Sequence, residues 1–211
     1  EMLPAVVALT LSRGAQSMAK RGVIVRRLAS IENFGAMDLL CTDKTGTLTE
    51  GVVSLDFFED LHGRTSARVL ELAYANALLE TGLDNPLDDA IVARAKRDGL
   101  RTDFEKIDEI PYDFLRKRLS VVIREGDGHL LVSKGALAAV LATCTAHLGG
   151  ELSNEDRAAV VARAERAAKE GIRVLAVASR RFPPGRDVYH KEDETELVLE
   201  GLLGFHDPPK D

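Results

Sequence analysis

Two apolar runs with a tight turn between them limit the folding of this chain more than any other stretch. Residues 119–124 (LSVVIR) and 130–133 (LLVS) flank Glu125-Gly126-Asp127-Gly128. A turn that short and glycine-rich joins strands running in opposite directions, because a parallel pair needs a crossover of about a dozen residues or more. The middle of the chain is therefore expected to contain an antiparallel sheet. Residues 107–112 (IDEIPY), 173–179 (RVLAVAS) and 197–205 supply further strand-like runs, and residues 52–58 another. Helical spacing of Val69, Leu72, Ala73, Asn76 and Leu79 predicts a helix over 65–80. A second helix is predicted from Asn85 as N-cap and Pro86 as first residue to about Asp98, before Gly99. A third starts at Ser153 with Glu155 and Asp156 in its first turn and stops at Gly171. Residues 181–195, with adjacent prolines, a glycine and many charges, read as a surface loop. Strands and helices mix here without a βαβ rhythm, which suits an antiparallel sheet with helices packed on it.

The region before residue 50 has a different character. A helix, a short strand over 23–25, a turn through Asn33 and Gly35, and a buried strand over 37–41 (MDLLC) are expected, the last delivering Asp43 at its carboxyl end. In open α/β sheets ligands sit beyond that end of the strands. Residues 2–11 are almost entirely apolar, and Arg13, Lys20, Arg21, Arg26 and Arg27 follow. Two readings fit: the cytoplasmic end of a membrane helix with its basic flank inside, or an N-terminal core helix with solvated charges. No run reaches the roughly 20 apolar residues that crossing a bilayer takes, so the segment is expected to be soluble. With 34 acidic against 28 basic residues the net charge is -6, which argues against a dedicated nucleic-acid binder. Cys41 and Cys144 are far apart and lack metal-ligand spacing, so two free thiols in a reducing compartment are expected.

The chemistry is concentrated in Asp43-Lys44-Thr45-Gly46-Thr47-Leu48-Thr49. Attack on a γ-phosphate needs a carboxylate nucleophile, positive charge on the phosphoryl oxygens and backbone able to approach them, and Asp, Lys, Thr and Gly supply these. The run matches the signature of P-type ATPases, whose phosphorylation domain resembles haloacid dehalogenase-like phosphatases. The resemblance implies Asp43, Lys44 and Thr45 as catalytic residues, with Asp43 and the Thr45 carbonyl binding Mg2+. Phosphatases of that fold typically carry an aspartate where this chain has Thr45, and a hydroxyl cannot act as their general acid and base near neutral pH. An aspartyl-phosphate here is expected to persist, which suits a pump.

Further matches follow in the order found in P-type nucleotide-binding domains. Lys134-Gly135-Ala136 resembles the family's KGA motif after a strand and opening a helix, and implies a lysine lining the adenosine pocket. Residues 109–121 (EIPYDFLRKRLSV) resemble the segment whose aromatic stacks on adenine and whose lysine approaches the phosphates. Counting back from Ser120-Val121 puts the stacking position on Tyr112, where the family usually has Phe, and the lysine on Lys117; Phe114 is the competing aromatic. By the same resemblance Asp88 contacts the adenine side, Arg173 reaches toward the phosphates and Asp207, in Asp207-Pro208-Pro209-Lys210, sits near the ribose. Helix-start acidity is the plain alternative for Asp88.

The implied organisation is the end of a fourth transmembrane helix and stalk over 1–27 and the first part of a Rossmann-like phosphorylation domain over 28–49. An inserted nucleotide-binding domain of antiparallel sheet and helices covers 50–205, and a returning hinge 206–211. The segment would bind ATP with Mg2+ at the cytoplasmic face of a membrane, while the transported cation passes through membrane helices outside it. Residues 31–38 (IENFGAMD) and IPYDFLRKRLSV resemble the magnesium-transporting subfamily, with proton and calcium pumps as the nearest competitors. A soluble phosphatase of the same fold and a non-catalytic nucleotide sensor are the rival functions.

Overall fold

The computed structural model describes residues 2–43, 46–82, 85–100, 103–208 and 210. The chain divides into two compact units between residues 43 and 44.

The first unit holds helix α1 (Leu3–Ala19), with Pro4 in its first turn, and the short helix α2 (Ser30–Gly35). Three expectations change here. The turn expected at Asn33 and Gly35 lies inside α2, and residues 23–25 form no strand. Residues 37–41 are extended but unpaired, with Leu39 and Leu40 exposed. A near-continuous apolar strand is stable only between neighbours that cover both faces, and none of the described residues pairs with this run. A Rossmann-like sheet is accordingly not seen around Asp43. Helix α1 buries none of its residues, and no helix among the described residues is long and apolar enough to cross a membrane.

The second unit is built on one sheet. Its strands are β1 (Ser54–Glu59), β2 (Lys106–Asp113), β3 (Arg118–Glu125), β4 (Gly128–Ala136), β5 (Cys144–His147), β6 (Gly150–Glu151), β7 (Arg173–Phe182) and β8 (Leu197–His206). They run in the order β2-β3-β4-β7-β8-β5-β6, with β1 also paired to β8. Every pairing is antiparallel except β5 with β8. The expected hairpin is β3–β4, in register from Arg118 opposite Gly135 to Glu125 opposite Gly128.

Side chains alternate between two buried layers, as the period of a strand requires. Val121, Ile123, Leu130, Val132 and Val177 face helices α3 (Ala67–Leu79) and α4 (Pro86–Arg97). Val122, Leu131, Ala176 and Ala178 belong to the opposite layer with residues of α5 (Leu137–Leu141) and α6 (Asn154–Lys169). The helix starts follow from capping chemistry: Ser66, Asn85 and Ser153 each accept a backbone N–H of the first turn, and Ser153 with Asp156 completes a capping box.

The stretch read as a surface loop is only partly one. Strand β7 runs on to Phe182, residues 183–188 are exposed, and a 3-10 turn, Lys191–Asp193, follows. Tyr189 and Glu194 are buried. The Glu194 carboxylate accepts hydrogen bonds from Arg116 Nη1 at 2.5 Å, Arg118 Nε at 2.8 Å and Ser120 Oγ at 2.7 Å. That anion ties the loop to β3 and explains why a charge-rich segment is not simply solvated.

Gly201 marks the tightest approach in the sheet, since a Cβ there would lie 2.0 Å from the Glu59 carbonyl oxygen and 2.7 Å from Val69 Cγ2. Gly201→Ala is expected to cost about 1–3 kcal/mol, the usual range for overpacking. Gly82→Ala, with no described atom within 4 Å of the new methyl, is expected to be near neutral. Equal urea midpoints for the two variants would contradict this packing.

Candidate functional site

At one end of the sheet the start of α4, the β2–β3 connection, the end of β4 and the start of β7 enclose two cavities of about 370 and 230 Å³ that share Asn85, Tyr112 and Leu119. Glu80, Glu109 and Phe114 line the larger; Lys117, Lys134, Gly135 and Arg173 line the smaller. Five residues singled out from sequence, Tyr112, Lys117, Lys134, Gly135 and Arg173, thus meet at one cavity. Tyr112 and Phe114 stand edge to face with ring centroids 5.4 Å apart, and Tyr112 alone of the two lines both cavities.

The β2–β3 connection is a built turn. Asp113 Oδ1 accepts the N–H groups of Leu115 at 2.7 Å and Arg116 at 3.0 Å, which holds its carboxyl below the usual range. Lys117 takes a left-handed φ of 51° and donates its N–H to Asp113 O at 2.6 Å. Arg116 Nη2 donates to Pro111 O at 2.6 Å while its Nη1 reaches Glu194, so the guanidinium braces the turn that carries Tyr112 and Lys117. Sequence reading missed this brace. Three successive cations, Arg116 to Arg118, signal the need for an anion, but the partner lies 78 positions beyond Arg116 and nothing local identifies it.

Gly135 has a packing reason. A Cβ there would sit 2.4 Å from Lys117 O and 2.5 Å from Arg118 Cβ. Lys134 to Ala136 close strand β4 itself, and α5 begins only at Leu137, so the motif ends a strand rather than following one. Register then puts Lys134 opposite Leu119 and Val177, on the face covered by α3 and α4.

There Lys134 is buried, and its Nζ donates to Asp88 Oδ1. Burial lowers the Lys134 pKa to about 8, opposed by the negative charge of Glu80 3.9 Å away. Asp88 Oδ2 accepts from Asn85 Nδ2 at 2.7 Å, and Asn85 Oδ1 accepts the Leu87 N–H at 3.1 Å as the helix cap. Burial raises the Glu80 pKa, with Lys134 opposing and Glu109 adding to it.

The remaining expected site residues lie elsewhere. Asp43 is exposed on an extended segment of the first unit, and Lys44 and Thr45 fall outside the described residues. Asp207 lines neither cavity; its Oδ2 accepts from Thr49 Oγ1 at 2.6 Å. That contact belongs to two paired segments, with Glu50 N–H on Pro208 O at 2.9 Å and Lys210 N–H on Leu48 O at 3.0 Å. Among the described residues no group of three or more His, Cys, Asp or Glu is placed to hold a metal ion.

An aromatic face above a cavity of this size, with basic side chains at its edge, suits a flat base carrying a polyanion. Residues 59–211 match the model of the P-type ATPase cytoplasmic domain N, and the chain belongs to that family. Over its whole length the chain is 43% identical to the magnesium-transporting ATPase, P-type 1, of Escherichia coli (strain K12), and 43% identical to a Salmonella typhimurium protein of the same name. It is 30% identical to the calcium-transporting ATPase 1 of Bacillus cereus. It spans 24% of the length of the first two relatives and 26% of the third.

The Lys134–Asp88 pair yields a direct expectation. Asp88→Leu or Lys134→Met alone leaves a buried charge unpaired and is expected to cost about 3–5 kcal/mol, whereas the double variant should recover much of that loss. Additive losses in chemical denaturation would mean that the two groups do not depend on each other.

Proposed function

We propose that this chain is the ATP-binding and phosphorylation segment of an ATP-driven cation pump at the cytoplasmic face of a membrane, with Mg2+ as the transported ion. The observation that carries the reading is the meeting of Tyr112, Lys117, Lys134, Gly135 and Arg173 at one cavity. Tyr112 would stack on adenine, Lys134 would line the adenosine pocket, and Lys117 and Arg173 would face the phosphates. Gly135 would keep the backbone close enough for both lysines to serve one ligand.

The chemical step assigned to Asp43 is attack of a carboxylate oxygen on the γ-phosphorus of ATP. A carboxylate–phosphorus bond forms as the bond from the γ-phosphorus to the β,γ-bridging oxygen breaks, and ADP leaves with that electron pair. Lys44 would neutralise phosphoryl oxygens, and Asp43 with the Thr45 carbonyl would ligate the catalytic Mg2+ that accompanies ATP. The paired segments around Thr49 and Asp207 would form the hinge between the phosphorylation and nucleotide-binding parts, the latter spanning 50–205, with residues 1–27 leading from a membrane helix. Magnesium as cargo is favoured over calcium by the higher identity to the magnesium-transporting relatives.

Calorimetric titration of the chain with ATP tests the binding half of this reading. Wild type is expected to bind, and Tyr112→Ala and Lys117→Ala are each expected to weaken binding about tenfold or more, as losing a base stack or a phosphate contact does. Unchanged affinity in both variants would remove the cavity from the account.

A further inference from the structure

Three cations in succession, Arg116, Lys117 and Arg118, stand at the turn into β3, and one buried anion takes up the first and the last. Glu194 Oε2 accepts from Arg116 Nη1 at 2.5 Å and from Arg118 Nε at 2.8 Å, and its side chain is fully buried. Lys117, between them, lines the cavity that Arg173 also lines. Its φ of 51° is a left-handed conformation that a lysine seldom adopts and that the surrounding bonds must impose. The Lys117 N–H is fixed on Asp113 O, and its carbonyl accepts the Ala136 N–H at 2.9 Å, where Gly135 leaves room for it. Pinning the residues on both sides to one carboxylate restrains the turn further, because neither Arg116 nor Arg118 can swing away without weakening the pairing of a buried charge.

We propose that Glu194 is a positioning residue for the phosphate end of the nucleotide: through Arg116 and Arg118 it holds Lys117 in its left-handed conformation and keeps the ammonium at the cavity, without touching the ligand itself. This role rests on the nucleotide-binding reading of the cleft and adds to it a residue that lines neither cavity. Glu194 lies 78 positions beyond Arg116, directly after the 3-10 turn Lys191–Asp193. The base end of the cleft has restraints of its own. Arg116 Nη2 donates to Pro111 O, and Asp113 Oδ1 accepts the N–H groups of Leu115 and Arg116, none of which involves Glu194. Loss of the Glu194 charge therefore acts on Lys117 more than on Tyr112.

Titration of the chain with ATP and with adenosine, followed by nuclear magnetic resonance, tests the assignment. Glu194→Gln keeps the side-chain length and a carbonyl acceptor but removes the charge. It is expected to weaken ATP binding by about fivefold, part of the roughly tenfold worth of one hydrogen bond to a charged group, and to leave adenosine binding unchanged. Added to Lys117→Ala, the same substitution is expected to weaken ATP binding no further, since a positioning residue then has nothing left to position. Arg118→Gln, which leaves Glu194 paired with Arg116, is expected to give the same pattern, and it carries the test if thermal melting shows the Glu194 variant unfolded. A purely structural role would lower affinity for both ligands alike and would persist in the Lys117→Ala background. Either of those results, or an unchanged ATP affinity in Glu194→Gln, overturns the proposal. Failure of wild type to bind ATP overturns the binding reading as well, an outcome plainly distinct from the others.

Discussion

A buried ammonium locks a helix to a sheet in this protein, and the site depends on that lock. Lys134 lies on a strand whose neighbours on both sides are apolar, so its charge needs the anions that α3 and α4 bring to it, Asp88 in contact and Glu80 3.9 Å away. Asn85 caps α4 and also holds the second oxygen of Asp88. The helix start, the end of β4 and the floor of the cleft are thereby one hydrogen-bonded unit. Gly135 then lets β3 approach closely enough to present Lys117 beside the same cavity.

A second buried charge acts at the other side of the cleft. Glu194 gathers Arg116, Arg118 and Ser120, and Arg116 passes the restraint on to Pro111. The exposed aromatics are thus mounted on a turn fixed by an internal anion rather than on a free loop. Such a mounting suits recognition of a flat ligand, because little ordering remains to be done on binding.

Much of the second unit was legible in sequence, for local reasons. The β3–β4 hairpin announced itself through its glycine turn, and α4 through Asn85 and Pro86, because turns and caps are short-range chemistry. The shared cavity was anticipated through the order of matches to a known family, not through any residue's own environment. What escaped were contacts between distant residues: Glu194 with Arg116 and the Asp88–Lys134 pair. In the first unit the misreadings fall where apolar residues lack a partner among the described residues. Residues 37–41 carry a strand pattern, but a pattern becomes a strand only when neighbours complete its hydrogen bonds. The parallel contact of β5 with β8 was missed because β5 is too short to show a period.

The central claim is that the base lies on Tyr112, between the α3–α4 junction and the β2–β3 turn. Intermolecular nuclear Overhauser effects between the adenine H2 and H8 protons of bound ATP and the side chains of the labelled chain test it most directly. The account predicts cross-peaks to the Tyr112 ring and to the Leu119 methyls. Cross-peaks instead to the separate cavity lined by His62 and His147 would contradict it.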